Sequence, residues 1–104
     1  MTPHEFQQLA NQVTKYKHAT TDRQRQAIAK SIVLWGGRLH RWADETAGLL
    51  GRQLIWLDKN DGTAPTADKR FAEWTDLLRQ YEAACDLLRE AEVLMNAPID
   101  RVAA

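Results

Sequence analysis

Few side chains in this sequence are placed to do chemistry. Its three histidines are scattered singly at His4, His18 and His40. His4-Glu5 is not followed by a second histidine at helical spacing, so the zinc-protease pattern is absent. The single cysteine, Cys85, can neither close an internal disulfide nor complete a zinc site. The expectation is therefore no metal. Asp58-Lys59-Asn60-Asp61-Gly62 resembles a calcium loop only superficially. Gly62 stands where the fifth position needs an oxygen ligand, and Lys69 stands where the twelfth needs a glutamate.

Covalent catalysis fares no better. Ser31 is the only serine, and it lies within a helical pattern beside Ile28 and Ile32. Cys85 falls on an apolar helical seam, where a thiol is ordinarily packing material. Gly36-Gly37 and Gly48-Leu49-Leu50-Gly51 lack the Lys-Ser/Thr ending and the preceding strand of a phosphate-binding loop. Adjacent carboxylates such as Asp44-Glu45 point apart on a helix. The reading is of a non-enzymatic protein without a cofactor.

The elements that carry these residues are helical. Thr2-Pro3-His4-Glu5 is a helix start, with Thr2 as cap, Pro3 in the first turn and Glu5 completing a capping box. Phe6, Leu9, Val13 and Tyr16 then mark one face of a helix over about 3–18. A second capping box opens at Thr21-Asp22-Arg23-Gln24. Ile28, Ile32, Trp35, Leu39, Trp42, Thr46, Leu49, Gln53 and Trp56 follow at alternating spacings of four and three, a heptad-like seam. The seam keeps its phase across Gly36-Gly37, although each glycine costs roughly 1 kcal/mol in a helix interior. One long helix over about 22–57 is expected, kinked at most at the glycines. The alternative is a break there, giving four helices.

The Asn-Asp-Gly-Pro-rich stretch 58–66 reads as a loop. Thr66 then caps a third helix over about 67–95. That helix has two apolar seams, one of Phe71, Trp74, Leu78, Tyr81, Cys85 and Leu88, the other of Leu77, Ala84, Leu87, Ala91 and Leu94. Asn96-Ala97-Pro98 stops it, and 97–104 reads as a loose tail. The pattern predicts an all-α single domain over 1–104. It is an antiparallel hairpin of two long helices with a shorter N-terminal helix, a three-helix bundle.

Helix lengths carry the functional expectation. The first helix is about half as long as the other two, so it can cover only one half of the hairpin. Trp42, Leu49 and Trp56 on the second helix face Phe71, Trp74 and Leu78 on the third, at the half left uncovered. An apolar patch there marks an interface. Trp42 and Trp56 are the leading candidates, because tryptophan is enriched at binding hot spots. The expected partner is a protein, with a homodimer as the simplest case.

Charge offers a second reading. The chain of 104 residues has no net charge. Residues 1–42 nonetheless hold seven Lys/Arg against two acids, a net +5. The remainder holds seven against twelve, a net −5. Arg23, Lys30, Arg38, Arg41 and Arg52 form a basic stripe that could meet an acidic partner or track nucleic-acid phosphates. Glu45 interrupts the stripe, and no helix-turn-helix spacing accompanies it, so nucleic acid ranks behind protein. No apolar run approaches a membrane span, and the amphipathic helices alternate charge signs, so no membrane role is expected. The N-terminus lacks a basic start followed by an apolar stretch, which argues against a secretory leader. These features together suit a small cytoplasmic accessory, adaptor or inhibitor protein, including one of phage or plasmid type.

Overall fold

A computed structural model describes residues 3–60 and 67–101. Among these residues the chain is all-α: α1 spans His4–His18, α2 Asp22–Lys59 and α3 Ala67–Met95. The molecule is elongated, with principal extents of 59 × 24 × 19 Å. Its long dimension is that of α2, whose 38 residues rise about 57 Å.

Local chemistry sets the helix ends. Thr2 and Thr66, expected as caps, lie outside the described residues, as does the loop from 61 to 66. Pro3 occupies the cap position of α1 in an extended conformation, and its carbonyl accepts from the Phe6 N–H at 3.1 Å. The Thr21 side chain caps α2 by accepting from the Gln24 N–H at 3.2 Å. The reciprocal arm of that capping box is displaced by one residue, because the Gln24 side-chain oxygen Oε1 accepts from the Thr20 N–H at 3.0 Å.

At the other end of α3, Asn96 takes a left-handed conformation, φ 53°. The Ala97 N–H then reaches the Glu92 carbonyl, and the Asn96 N–H reaches that of Val93, both at 3.2 Å. This is the Schellman arrangement, which satisfies carbonyls a helix end would otherwise orphan.

α2 runs through Gly36 and Gly37 without a break, and both glycines are buried. The reason is steric. A Cβ on Gly36 would stand 2.8 Å from Ile99 Cγ2 and 3.0 Å from Ile99 Cδ1. The glycine is a notch for a side chain from beyond α3. Residues 97–101 are therefore not loose as their composition suggests. Ile99 is buried, its N–H donates to Glu92 Oε1 at 3.1 Å, and the Arg101 guanidinium pairs with Asp44.

The core cluster joins Leu9 and Val13 of α1, Ile32 and Leu39 of α2, Ala84, Leu87, Leu88 and Ala91 of α3, and Ile99. On α2 the buried line is Ile32, Gly36, Leu39, Ala43, Thr46, Leu50 and Leu57. It shares Ile32, Leu39 and Thr46 with the seam read from the sequence but replaces Trp35, Trp42, Leu49 and Trp56 by their C-terminal neighbours. α2 thus carries two heptad lines flanking a common one. The line of Gly36, Ala43, Leu50 and Leu57 is buried in the hairpin. The tryptophan line is turned about 100° away from it, onto the side of α1.

Candidate interaction surface

α1 reaches only part of the tryptophan line. Its fifteen residues rise about 22 Å, and its first residue, His4, meets Trp35 edge to face at 5.5 Å between ring centroids. Glu5 shares a hollow with Arg38, Arg41, Trp42 and Glu45. Trp35 and Trp42 are packed against the core cluster. Trp42 therefore belongs to the covered half, and the bare part of the line begins at Leu49.

Beyond that point the side that α1 covered is open. Trp56 and Leu57 of α2 and Arg70 and Glu73 of α3 line a hollow of about 260 Å³ with Gln53. The Arg70 guanidinium lies over the Trp56 ring, 4.2 Å from its centroid. This cation–π contact covers one ring face with a side chain that is itself exposed. Leu49 is 38% exposed.

The opposite side repeats the arrangement with the tail in the place of α1. His40, Asp44, Tyr81, Cys85, Glu92 and Arg101 border one hollow between α2 and α3. His40 Nε2 lies 3.4 Å from Glu92 Oε1. The Arg101 side chain holds the Asp44 carboxyl below the usual carboxylate range, chiefly by hydrogen bonding. The Tyr81 phenol is raised above its ordinary value, first by its hydrogen bond with the Cys85 thiol.

Continuing from His40 and Asp44 at helical spacing, the same side of α2 carries Ala47, Gly51, Leu54 and Ile55. Continuing back from Cys85 and Tyr81, the same side of α3 carries Leu78, Trp74 and Phe71. Here no other element among the described residues covers the hairpin. Leu54 is 48%, Ile55 59% and Phe71 56% exposed. No atom of a packed neighbour lies within 4 Å of where a Cβ on Gly51 would stand. Trp74 is fixed by its indole N–H, which donates to the Leu50 carbonyl at 3.0 Å. Phe71 stacks on it at 6.2 Å and 23°.

Of the six interface candidates, then, Trp42 is under α1, Leu49 and Trp56 lie on one open flank, and Phe71, Trp74 and Leu78 lie on the other. Leu54 and Ile55 were missed by the sequence reading. They stand out of phase with the seam, and only the emptiness beside them gives them meaning.

The basic stripe is partly occupied. Arg38 lies over Trp35 at 4.9 Å and Arg41 pairs with Glu45 at 3.3 Å. Arg23, Lys30 and Arg52 are exposed and make no ion pair among the described residues. No group of three or more His, Cys, Asp or Glu among the described residues could hold a metal ion. No described helix is long and apolar enough to cross a membrane. Comparison with known proteins gives no match, whether to a family model, a curated protein or a solved structure.

Proposed function

We propose that this protein is a non-enzymatic helical interaction module, of the accessory, adaptor or inhibitor kind, that works in the cytoplasm by docking a protein on the uncovered half of its hairpin. One observation carries the reading. Among the described residues both flanks of α2 and α3 are covered at the proximal half, by α1 on one side and by Ile99 and Arg101 on the other, and both are bare at the distal half. Exposed leucines scattered singly need no explanation, but Leu54, Ile55 and Phe71 together form a patch around Trp74, and such patches mark binding sites.

Nucleic-acid binding through the basic stripe ranks behind this reading. Two of its five arginines and lysines, Arg38 and Arg41, are engaged within the chain.

The reading is tested by pairing stability with association. Leu54→Lys and Phe71→Glu place charge at exposed positions and should leave unfolding free energy within about 0.5 kcal/mol. They should also weaken whatever protein association the parent chain shows. Substitutions that destabilise the fold like core truncations would show that these side chains serve packing, and the docking role would be withdrawn.

A further inference from the structure

Resting on that reading, we infer that the occupant of the distal hairpin is a second copy of this chain, seated on the flank formed by Gly51, Leu54, Ile55 and Phe71. The surface area points to it. The chain exposes 7160 Å², whereas a compact monomer of 11.9 kDa exposes about 6000 Å². The excess of about 1200 Å², taken over the whole elongated chain, is large enough to supply one partner's share of an obligate homodimer interface, which buries roughly 1000–2500 Å² per chain. The same elongation gives a radius of gyration of 16.9 Å against about 13 Å for a compact domain of this length.

The charge of the distal half selects the partner. From Leu49 to Arg79 the acids Asp58, Asp61, Asp68, Glu73 and Asp76 are balanced by Arg52, Lys59, Lys69, Arg70 and Arg79, and Glu45 is already paired with Arg41. A surface with no net charge does not attract a strongly charged partner and does not repel its own copy. Gly51 supplies the geometry. Without a side chain or a covering neighbour, it lets the second copy's backbone approach α2 closely. Leu54, Ile55 and Phe71 then interdigitate around that contact. In a two-fold arrangement each distal hairpin covers the other's bare flank, doing in trans what Ile99 does in cis at Gly36.

Sedimentation equilibrium of the full chain over a wide concentration range tests this. The expected result is a species of twice the 11.9 kDa chain mass. Its dissociation constant should rise at least about tenfold in Ile55→Asp and in Phe71→Asp, as hot-spot positions do. Val93→Asp is the control. Val93 is 74% exposed but stands on α3 far from this flank, so its substitution should leave association unchanged. Circular dichroism of the variants checks that each remains helical.

A concentration-independent monomer, or a dimer indifferent to both distal substitutions, overturns the second copy as occupant. The broader reading is scored separately, by whether immobilised wild-type chain retains a protein from host extract that Ile55→Asp does not. If it does, a different protein is the occupant and the module remains. If it does not and the chain is monomeric, both fall.

Discussion

Ile99 stands where a side chain on Gly36 would have to be, with its Cγ2 2.8 Å from the position of the missing Cβ. The relationship explains why a glycine is kept inside a long helix and predicts a change of sign. Gly36→Ala gains about 1 kcal/mol of helix propensity but meets Ile99, and overpacking typically costs about 1–3 kcal/mol. In the parent chain the substitution should be neutral or destabilising, with Ile99 displaced. In an Ile99→Ala background the same substitution should stabilise by up to about 1 kcal/mol. Denaturant unfolding of the four proteins closes this double-mutant cycle. Additive values would mean that the two residues do not touch.

The tail has a polar anchor as well. Arg101 and Asp44 form two hydrogen bonds, one of them from Arg101 Nη2 to Asp44 Oδ1 at 3.1 Å. The arginine lowers the Asp44 pKa below its ordinary value of 3.8. A depressed carboxylate pKa stabilises the fold above the unfolded-state value and loses that contribution as pH falls through the folded-state value. Tail docking should therefore persist through neutral and mildly acidic conditions and weaken only in strong acid. Both side chains are about half exposed, so the effect on global stability is small. The clean readout is NMR titration of the Asp44 carboxyl. Its midpoint should lie below 3.8 in the parent chain and move up in Arg101→Ala.

What could be read from the sequence divides along physical lines. Ile32, Leu39 and Thr46 recur at seven-residue spacing and are large or semi-polar enough to register as a seam. The line actually buried in the hairpin passes through Gly36 and Ala43, whose small side chains carry no hydropathic signal. Trp35 and Trp42 outweighed them, because tryptophan looks like core wherever it falls. Both lines prove to be real, and each faces a different neighbour. Ile99 was invisible for another reason. It is one apolar residue after a proline, with no periodicity, and its burial depends on a notch 63 residues earlier. Helix lengths, by contrast, are arithmetic. That α1 is too short to follow α2 to its far end, so that among the described residues the distal half of the hairpin stays bare, follows from residue counts alone.

Trp74 ties the distal hairpin together through its indole. Trp74→Phe keeps an aromatic ring against Phe71 and removes the 3.0 Å hydrogen bond to the Leu50 carbonyl. That carbonyl keeps its place in the α2 ladder, so no buried acceptor is orphaned. The expected loss is about 1 kcal/mol, measurable by urea unfolding. A loss of several kcal/mol would indicate that the indole fills space that the smaller ring cannot.

Stability should also be graded along α2. Leu39 is fully buried among all three helices, and Leu39→Ala should cost about 2–5 kcal/mol. Ile55 meets no third layer among the described residues, and Ile55→Ala should cost the isolated monomer about 0.5 kcal/mol or less. Native-state amide exchange should show the same gradient in the Ile55→Asp chain. Amides near Leu39 should exchange only through global unfolding, and those near Leu54 through a cheaper local opening of the hairpin tip. Uniform protection from Ile32 to Leu57 would contradict a half-covered hairpin.

The basic stripe provides the sharpest contrast with nucleic-acid binding. A protein that neutralises phosphates binds more tightly as salt falls, with a slope set by the number of contacts. Arg38 is held over the Trp35 ring and Arg41 beside Glu45, so a phosphate would have to displace both intramolecular partners. Neither duplex DNA nor single-stranded RNA should be retarded at about 50 mM salt, where non-specific phosphate binding is strong. A salt-sensitive complex that disappears when Arg38 and Arg41 are both changed to Ala would move the function from the hairpin tip to the back of α2. The same complex surviving that double substitution would place the contact elsewhere, on Arg23, Lys30 or Arg52.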